Sequence, residues 1–281
     1  MNYRNLIYKG TSILKESFIK TAQIDAELLL TISLKKSREK ILLNLENKLS
    51  LEEIKKYLDL INRRKNNEPI SFIEGKRFFW KNEFIVNKNV LTPRYETEIL
   101  IEEVLRMHNT SNYINVLDVG VGSGCILISL LLEKKNWKGT ALDVCSLALK
   151  TAKCNAKMQQ IENRIKFINS DIDNFFSRKY DLIVSNPPYI NKVSYNNLDL
   201  DVKAYEPHKA LYGGINGLDI IEKVVKKSKF VLKNNGLLAL EIGHDQYYMV
   251  RELLKKNQFY ILKSIKDYQN IYRCLIAKKI K

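Results

Sequence analysis

The sequence predicts an α/β protein in which a seven-stranded, mostly parallel sheet follows a small helical bundle and a β-hairpin. Three observations lead to this prediction. From Ile114 onward, strand-like and helix-like segments alternate, which is typical of a mostly parallel sheet covered on both faces. Before Asn67 the pattern is helical, and from Thr11 it is free of Gly and Pro. Between these regions, Ile70 to Val90 is rich in aromatic and β-branched residues.

The first 67 residues carry the signals of helix starts and apolar helix faces. Thr21 is a possible N-cap before a run of helix formers that ends near Leu30. Ser50 followed three residues later by Glu53 is a capping box, in which each residue's side chain binds the other's backbone N–H. We therefore predict a helical domain over residues 1–67.

Residues 68–91 are predicted to form a β-hairpin that links this helical domain to the rest of the chain. Pro69 ends the helical pattern, and Gly75 suits a turn within the hairpin. Pro93 then favours the opening of a helix that continues to about Met107. The second domain is accordingly predicted to cover residues 92–281.

The second domain contains the alternating elements of the sheet. We predict strands at Ile114–Val119, Gly139–Leu142, Ile165–Ile168, Asp181–Ser185, Gly236–Ile242, Phe259–Ser264 and Ile271–Ala277. We predict helices at Ser123–Glu133, Ser146–Met158, Leu218–Leu232 and Gln246–Lys256. No helix separates the last two strands, so they are expected to form an antiparallel hairpin.

Composition excludes several classes of protein. With 45% hydrophobic and 28% charged residues among 281, the chain is neither disordered nor a disulfide-stapled miniprotein. Its four cysteines include no C-x-x-C pair and it has three histidines, so we expect no metal site. The sequence shows no signal peptide and no apolar run of membrane-spanning length. We expect a cytoplasmic protein without a membrane partner.

The formal net charge of +16 raises the question of a nucleic-acid partner. Only 11 of the 47 basic residues are Arg, however, and Arg is the residue favoured where phosphates are held by paired hydrogen bonds. The basic residues are also spread along the whole chain. Compositional bias explains the charge as well as a partner does, so direct nucleic-acid binding stays open.

The first predicted strand ends in Asp118 and is followed by glycines at 120, 122 and 124. Glycines between a strand and a helix allow a backbone loop to approach a ligand closely and to aim helix N–H groups at it. A tight turn without a ligand is the alternative. The spacing differs from the dinucleotide G-x-G-x-x-G pattern, because Cys125 occupies the place of its third glycine.

Asp143 ends the second predicted strand, where a carboxylate can accept hydrogen bonds from both hydroxyls of a ribose. After the third strand, Asp171 could accept from the exocyclic amine of adenine while Ile172 packs against the base. Either aspartate could instead cap a helix. Because open α/β sheets bind ligands at the carboxyl ends of their strands, these positions together predict a bound nucleoside.

The segment Asn186-Pro187-Pro188-Tyr189 follows the fourth predicted strand. Two prolines stiffen the backbone and remove two N–H donors. The Asn186 side-chain oxygen and the Pro187 carbonyl are left as two fixed acceptors, which suit a planar NH2 group. Tyr189 offers a flat face for stacking. A plain Pro-Pro turn is the alternative.

These motifs resemble the signature of class I S-adenosylmethionine (SAM) methyltransferases that act on a planar nitrogen. The resemblance is closer to one family, the PrmC/HemK protein-(glutamine-N5) methyltransferases, because it extends over nearly the whole chain. The further matching segments are Asp25–Leu29, Pro69–Gly75, Thr92–Glu98, Tyr205–Pro207, Ala210–Gly214, Gly217–Asp219 and Glu241–Gly243.

The resemblance implies a Rossmann-like class I methyltransferase fold, SAM as cofactor, and peptide chain release factors as protein substrates. The family methylates the glutamine of the Gly-Gly-Gln motif in these factors. The helical domain and the hairpin would bind the protein substrate. We expect a monomer, and the long segment from Ile190 to Asn216 is a candidate lid.

The site residues that the resemblance implies fall into overlapping sets. The cofactor-binding set is Gly120, Val121, Gly122, Ser123, Gly124, Asp143, Asp171, Ile172 and Asn186. The catalytic set is Asn186, Pro187 and Tyr189, and Pro188 joins these three in binding the substrate.

Two positions depart from the family pattern. Tyr95 occupies a place where the family usually has proline, so this loop is expected to be less rigid. Ile172 occupies a place where an aromatic residue usually follows the aspartate, so aliphatic packing replaces stacking on adenine. Neither change removes a group needed for methyl transfer.

Two other functions stay open from the sequence. The same Asn-Pro-Pro-Tyr motif and the positive charge would suit an adenine-N6 or guanine-N2 methyltransferase acting on DNA or RNA. The chain shows no separate target-recognition domain, which argues against it. The second alternative is a non-catalytic, SAM-binding adaptor for the ribosome or its factors.

Overall fold

A computed structural model describes residues 1–108, 113–177 and 180–280. The chain divides into two compact units. The first comprises Met1–Gly75 and Asp199–Tyr205, and the second comprises Lys76–Leu198 and Glu206–Lys281. Among the described residues, no helix combines the length and the apolar character needed to cross a membrane.

The first unit is helical, as predicted. Its helices within Met1–Gly75 are α1 (Tyr3–Glu16), α2 (Ala22–Leu34), α3 (Arg38–Leu42), α4 (Leu51–Lys65) and α5 (Ile70–Glu74). The predicted capping box at the start of α4 is confirmed. The Ser50 hydroxyl accepts from the Glu53 N–H at 3.2 Å, and the Glu53 carboxylate accepts from the Ser50 N–H at 2.8 Å.

A buried ion pair lies inside the first unit, where the Arg64 guanidinium donates to the Asp25 carboxylate at 2.7 Å. A short helix from a distant part of the chain, Leu200–Tyr205, also belongs to this unit. Its Asp201 lies 3.9 Å from the same guanidinium, and the Tyr205 hydroxyl donates to the Asn66 carbonyl at 2.8 Å. The first unit is therefore built from two separate stretches of sequence.

The prediction of β structure from Ile70 onward is wrong for Ile70–Glu74, which forms α5. Pro69 is the N-cap of this helix, where its missing N–H is no disadvantage. Gly75 ends the helix with a φ of +79°, in the left-handed region that glycine adopts without strain. The same Pro and Gly that we interpreted as a helix breaker and a hairpin turn thus delimit one more helical turn.

The hairpin itself consists of β1 (Lys76–Phe79) and β2 (Asn82–Ile85), which pair antiparallel. Within the described residues, the main sheet has seven strands, and six of them run in the same direction. In chain order the strands are β3 (Asn115–Val119), β4 (Lys138–Asp143), β5 (Ile165–Asn169), β6 (Tyr180–Ser185), β7 (Leu232–Glu241), β8 (Phe259–Lys266) and β9 (Tyr272–Lys279). The order across the sheet is β5-β4-β3-β6-β7-β9-β8, and β9 runs antiparallel to both of its neighbours. The predicted fold class and the antiparallel final hairpin are confirmed.

The remaining helices of the chain are α6 (Glu98–Met107), α7 (Cys125–Glu133), α8 (Ser146–Met158), α9 (Lys192–Asn196), α10 (Leu200–Tyr205), α11 (His208–Leu211), α12 (Asp219–Val231) and α13 (Tyr247–Lys256). The apolar residues of α6, α7 and α8 form one buried cluster with one face of the sheet. Those of α12 and α13 form a second cluster with the other face. Both faces of the sheet are therefore covered, as its apolar strands require.

The strand order places the functional loops. β3 lies between β4 and β6 in the sheet. After β3 the chain continues to β4 and β5 on one side, and then returns to form β6 and β7 on the other side. Such a switch in strand order opens a crevice at the carboxyl ends of the strands. The segments that follow β3, β4 and β6 are those that carry the glycines, Asp143 and Asn186.

Candidate active site

A cavity of about 660 Å³ lies at the carboxyl ends of β3, β4 and β6, within the second unit. Its wall includes residues from the segments that follow these strands, such as Gly120, Asp143 and Asn186. The other side of the wall comes from residues 88–94 and from the segment around α11. The structure thus brings most of the predicted site residues around one space.

The loop after β3 takes backbone conformations that favour glycine. Gly120, Gly122 and Gly124 have φ values of +76°, +54° and +84°. A Cβ atom on Gly120 would meet no atom within 4 Å, so the space above this residue is open to a ligand. Val121 and Ser123 also line the cavity.

Gly124 has a different environment from the other two loop glycines. It is the N-cap of α7 and is absent from the cavity wall. A Cβ atom there would lie 2.8 Å from Ile128 Cδ1 and 3.3 Å from the Ala152 Cβ. Gly124 therefore allows α7 and α8 to pack closely, and it acts on the cavity by placing the start of α7.

Asn155, on α8, holds the glycine loop against the hairpin. Its side-chain oxygen accepts from the Ile85 N–H at 2.7 Å, and its Nδ2 donates to the Ile85 carbonyl at 3.0 Å and to the Ser123 carbonyl at 2.8 Å. The side chain is buried and uses its acceptor and donor groups on backbone. Sequence reasoning missed this residue because an Asn within a helix gives no signal of its distant partners.

Asp143 at the end of β4 faces the cavity and is held by backbone donors. One carboxylate oxygen accepts from the Gly122 N–H at 3.0 Å and the other from the Cys145 N–H at 2.8 Å. Burial raises the pKa of this carboxyl, and the same N–H donors oppose that rise. These bonds fix the orientation of the carboxylate and leave lone pairs available for two ligand hydroxyls.

Asp171 and Ile172 lie on the next part of the wall. Asp171 caps a short 3-10 turn, accepting from the Asp173 N–H at 2.9 Å, and its carboxylate lies 3.6 Å from Lys223 Nζ. Ile172 is buried and contributes an apolar surface to the cavity. Both roles left open for Asp171 are therefore compatible with its position, since capping uses only one of its oxygens.

Asn186 follows β6 and presents its carboxamide at the cavity wall. Its Nδ2 donates to the Thr97 hydroxyl at 3.1 Å. Within the described part of the chain, neither the Asn186 side-chain oxygen nor the Pro187 carbonyl accepts a hydrogen bond. Two consecutive residues of the cavity wall therefore each carry an acceptor without a hydrogen bond from the described residues.

Tyr189, the last residue of the motif, lies behind the cavity wall. Its ring packs against the core formed with α12 and α13, and its hydroxyl donates to the Glu241 carboxylate at 3.4 Å. It is absent from the wall formed by the motif's first three residues. Burial raises the pKa of the Tyr189 hydroxyl, so the group stays protonated as a donor.

Glu241 ends β7 and is fully buried next to this motif. Burial raises the pKa of its carboxyl to about 7, although a hydrogen bond from Thr97 and the charge of Arg273 act in the opposite direction. The strand pairing explains its location, because Ser185 of β6 pairs with Leu240 of β7 and the next residues are Asn186 and Glu241. A carboxylate that closes an apolar strand beside the motif is the signal that sequence reasoning could have used.

The Gln246 side chain braces the backbone of the Asn-Pro-Pro-Tyr segment. Its Nε2 donates to the carbonyls of Tyr189 and Gly217, both at 2.9 Å, and its Oε1 accepts from the Gly243 N–H at 2.9 Å. Gly213 allows an equally close approach on the other side, since a Cβ there would lie 2.5 Å from the Pro188 carbonyl oxygen. These contacts hold the two free acceptors in place.

Of the two positions expected to depart from the family pattern, Ile172 lies in the cavity wall, whereas Tyr95 lies outside it. Tyr95 is 61% exposed, and the Arg77 guanidinium lies over its ring at 4.7 Å. The neighbouring Arg94 lines the cavity and donates to the buried Glu206 carboxylate at 2.7 Å. The segment around Tyr95 is thus held by contacts of Arg94 and Arg77.

Taken as a whole, the cavity combines a region suited to a nucleoside with a pair of acceptors suited to a planar NH2 group. The glycine loop, Asp143 and Ile172 form the first region, and Asn186 with Pro187 forms the second. Thr97 also lines the cavity and accepts from Asn186, and Glu241 is buried beside the motif at the end of β7. The arrangement can hold a nucleoside cofactor and an amide nitrogen side by side.

Comparisons with known proteins agree with this assignment. The family profile described as "PrmC N-terminal domain" matches residues 5–75, and the profile described as "Methyltransferase small domain" matches residues 95–200. A "Release factor glutamine methyltransferase" of Clostridium botulinum is 39% identical, over 99% of this chain and 100% of that protein. A protein of the same description from Caulobacter vibrioides is 37% identical, over 95% and 92%.

A solved structure supports the fold alone. The ribosomal protein L11 methylase of Lactobacillus delbrueckii subsp. bulgaricus superposes with a TM-score of 0.50 at 18% identity, covering 66% of this chain and 80% of that one.

Proposed function

Because this chain belongs to the release factor glutamine methyltransferase family, we propose that it transfers a methyl group from SAM to N5 of a glutamine in peptide chain release factors. The target within these factors is the glutamine of the Gly-Gly-Gln motif. The single observation in the structure that carries the proposal is the pair of free acceptors at Asn186 and Pro187 in the wall of a cavity that the glycine loop and Asp143 also line.

The residues of the cavity fit SAM. Open space above Gly120 accommodates a ligand against the loop, and the half-buried Asp143 carboxylate is oriented to accept from the ribose hydroxyls. Ile172 supplies an apolar surface for the adenine, and Asp171 an acceptor for its amine. When bound, SAM supplies an electrophilic methyl group on a sulfonium.

The acceptor pair solves the chemical problem that a glutamine side chain presents. An amide nitrogen is a weak nucleophile because its lone pair is delocalised into the carbonyl. Asn186 Oδ1 and the Pro187 carbonyl would each accept one N–H of the substrate amide and hold its nitrogen in line for attack. Positioning of this kind can lower a barrier by roughly 7–11 kcal/mol.

The same acceptors favour the transition state over the ground state. Positive charge develops on the amide nitrogen as its bond to the methyl carbon forms, and both acceptors carry partial negative charge. The nitrogen then becomes acidic and releases one proton to solvent. No general base is needed before transfer, which agrees with the absence of His and Cys from the Asn186–Tyr189 segment.

We also propose that the helical unit binds the release factor. The residues that line the cavity all lie outside Met1–Gly75, so the chemistry requires none of the helical unit's side chains. The match of residues 5–75 to the family's own N-terminal domain supports a role specific to this family's substrate.

Mass spectrometry of purified release factor tests the proposed function. Incubation with this protein and SAM is expected to add one methyl group to the glutamine of the Gly-Gly-Gln peptide. Parallel reactions with DNA and RNA and radiolabelled SAM test the nucleic-acid alternative, and calorimetry with SAM tests the adaptor alternative. An unmodified release factor together with a labelled nucleic acid would refute the proposal.

A further inference from the structure

Thr97 occupies the N-cap position of α6 but does not cap the helix. A Thr at this position ordinarily uses its side-chain oxygen to accept from an N–H of the first helical turn. Here the Thr97 side chain makes no such bond, and its oxygen accepts from Asn186 Nδ2 at 3.1 Å. Thr97 ends the 3-10 turn Tyr95–Thr97 with a helical backbone conformation, so its side chain is not placed to cap α6. The residue is only 2% exposed.

The hydroxyl proton of Thr97 has a buried acceptor within reach. Asn186, whose Nδ2 the Thr97 oxygen accepts from, follows Ser185, and Ser185 pairs with Leu240, the residue before Glu241. Consistent with this arrangement, the Thr97 hydroxyl acts to lower the pKa of the Glu241 carboxyl. Oε2 of Glu241 is buried with no hydrogen bond of ordinary geometry from any described residue, while Oε1 accepts from Tyr189 at 3.4 Å. A hydroxyl rotates freely to suit its partners, so Thr97 can direct its proton at this carboxyl.

These contacts fix which way the Asn186 carboxamide points. Thr97 accepts from the NH2 side of Asn186, so its own hydroxyl proton is available for Oε2 of Glu241, which receives no hydrogen bond from the described residues. We propose that Thr97 and Glu241 are positioning residues, which hold the Asn186 side-chain oxygen toward the substrate amide. Without them the carboxamide could turn over and present an NH2 group to the substrate's NH2 group.

The burial of Glu241 supports a role of this kind. A buried carboxylate without full hydrogen bonding is costly, and apolar packing at the end of β7 would avoid that cost. Unlike an apolar residue, Glu241 provides a hydrogen-bond acceptor for the Thr97 hydroxyl. The inference rests on the proposed role of Asn186 in release factor methylation.

A matched pair of variants at position 97 tests the proposal. Thr97→Val keeps the shape and removes the hydroxyl, whereas Thr97→Ser keeps the hydroxyl. We expect Thr97→Val to lower kcat for release factor methylation about tenfold, the equivalent of one hydrogen bond, without changing the Kd for SAM. Thr97→Ser should retain the kcat of the wild type. Equal losses in both variants, or a parallel weakening of SAM binding, would indicate a structural role and overturn the proposal.

Glu241→Gln provides a second, independent variant. A glutamine can donate to Thr97 and so allows the reversed arrangement, which should also lower kcat. Because both residues act through one path, the double variant should lose no more than the more impaired single variant. Losses that multiply would contradict the proposal.

A measurement without substrate separates this inference from the proposed function. The side-chain NH2 signal of Asn186 can be assigned by its disappearance in Asn186→Ala, and its hydrogen exchange followed by NMR. We expect slow exchange in the wild type and in Thr97→Ser, and faster exchange in Thr97→Val. Identical exchange in all three would overturn the inference even if release factors are methylated, and the expected pattern would uphold it even if they are not.

Discussion

A single side chain, Asn186, depends on residues from two other segments for its orientation. Its Nδ2 is engaged by Thr97 near the start of α6, and Glu241 from β7 lies behind that hydroxyl. The chemistry assigned to the Asn-Pro-Pro-Tyr segment thus requires side chains about 90 residues before it and 55 after it, as the sequence numbers show. A sequence motif identifies the groups that contact the substrate, but it does not identify the residues that orient those groups.

Asn186→Ala separates the two regions of the cavity. Removal of the carboxamide is expected to cut methyl transfer by orders of magnitude, because one of two acceptors for the substrate amide is lost, while SAM binding stays largely intact. Methylation assays and calorimetry measure the two effects. The exposed Asn197→Ala is the control, and undiminished turnover in Asn186→Ala would refute the assigned role.

Asp143→Ala should act on the other region. We expect the Kd for SAM to rise roughly 10- to 100-fold, because hydrogen bonds to a charged group are worth about 1.5–3 kcal/mol. Turnover at saturating SAM should fall much less. Calorimetry on this variant and on Asp245→Ala, an exposed control, makes the comparison, and an unchanged Kd would count against the assignment.

The sequence predicted cavity residues correctly where their position depends only on the strand that they follow. Gly120, Asp143 and Asn186 line one cavity, because each follows a parallel strand and such strand ends meet at one edge of the sheet. Thr97, Asn155 and Glu241 were assigned no role, because their partners are set by tertiary contacts. The roles of Gly124 and Tyr189 toward a ligand stay predictions, since both lie outside the cavity wall.

At the scale of elements, the start of α13 holds together loops that are far apart in the sequence. Gln246 precedes this helix and binds the backbone of Tyr189, Gly217 and Gly243. Tyr189 lies in the segment after β6, Gly217 in the segment before α12, and Gly243 in the segment after β7. The rigidity of the acceptor pair therefore depends on a helix that does not line the cavity.

Gln246→Leu should weaken this brace. The substitution keeps the volume of the side chain but leaves three buried backbone groups without partners, each at a cost of about 1–3 kcal/mol. We expect a lower melting temperature and a lower kcat, measured by scanning fluorimetry and methylation assay. Tyr248→Phe, an exposed change on the same helix, is the control. Wild-type stability in Gln246→Leu would show that the brace contributes nothing.

Elements with strong periodicity were predicted within a few residues of their ends. The helix at Ser146–Met158 has the predicted bounds, and β3 and α12 differ by one residue at one or both ends. The prediction failed at Ile70–Glu74, where β-branched and aromatic residues suggested a strand. This segment instead forms a helix that begins after Pro69 and ends at Gly75, and its apolar residues pack in the core of the first unit. Local composition does not reveal such tertiary contacts.

At the scale of the whole molecule, stability should depend on a carboxyl beneath the glycine loop. Asp118 is fully buried, and burial raises its pKa to about 8, with the Leu127 N–H opposing this rise and the charge of Asp143 adding to it. Between roughly pH 4 and pH 8 the unfolded chain has released this proton while the folded chain retains it. The free energy of unfolding should therefore fall as pH rises through that window.

Asp118→Asn removes this dependence, because an amide does not ionise. Relative to the wild type, the variant should gain stability as pH rises from 5 to 8, by at most about 1.4 kcal/mol per pH unit. Melting temperatures measured across this range test the expectation. Asp59→Asn makes the same chemical substitution at an exposed position and serves as the control. A difference from the wild type that does not vary with pH would contradict it.

The participation of Asp199–Tyr205 in the first unit has a practical consequence for dissecting the molecule. The polypeptide passes between the units at three points, so no single cut yields two self-contained fragments. Hydrolysis after Gly75 should leave the amino-terminal product attached to the rest through the Arg64–Asp201 and Asn66–Tyr205 contacts. A fragment that ends at Gly75 would lack part of its own fold, so a faithful separation requires joining Asp199–Tyr205 to it through a linker.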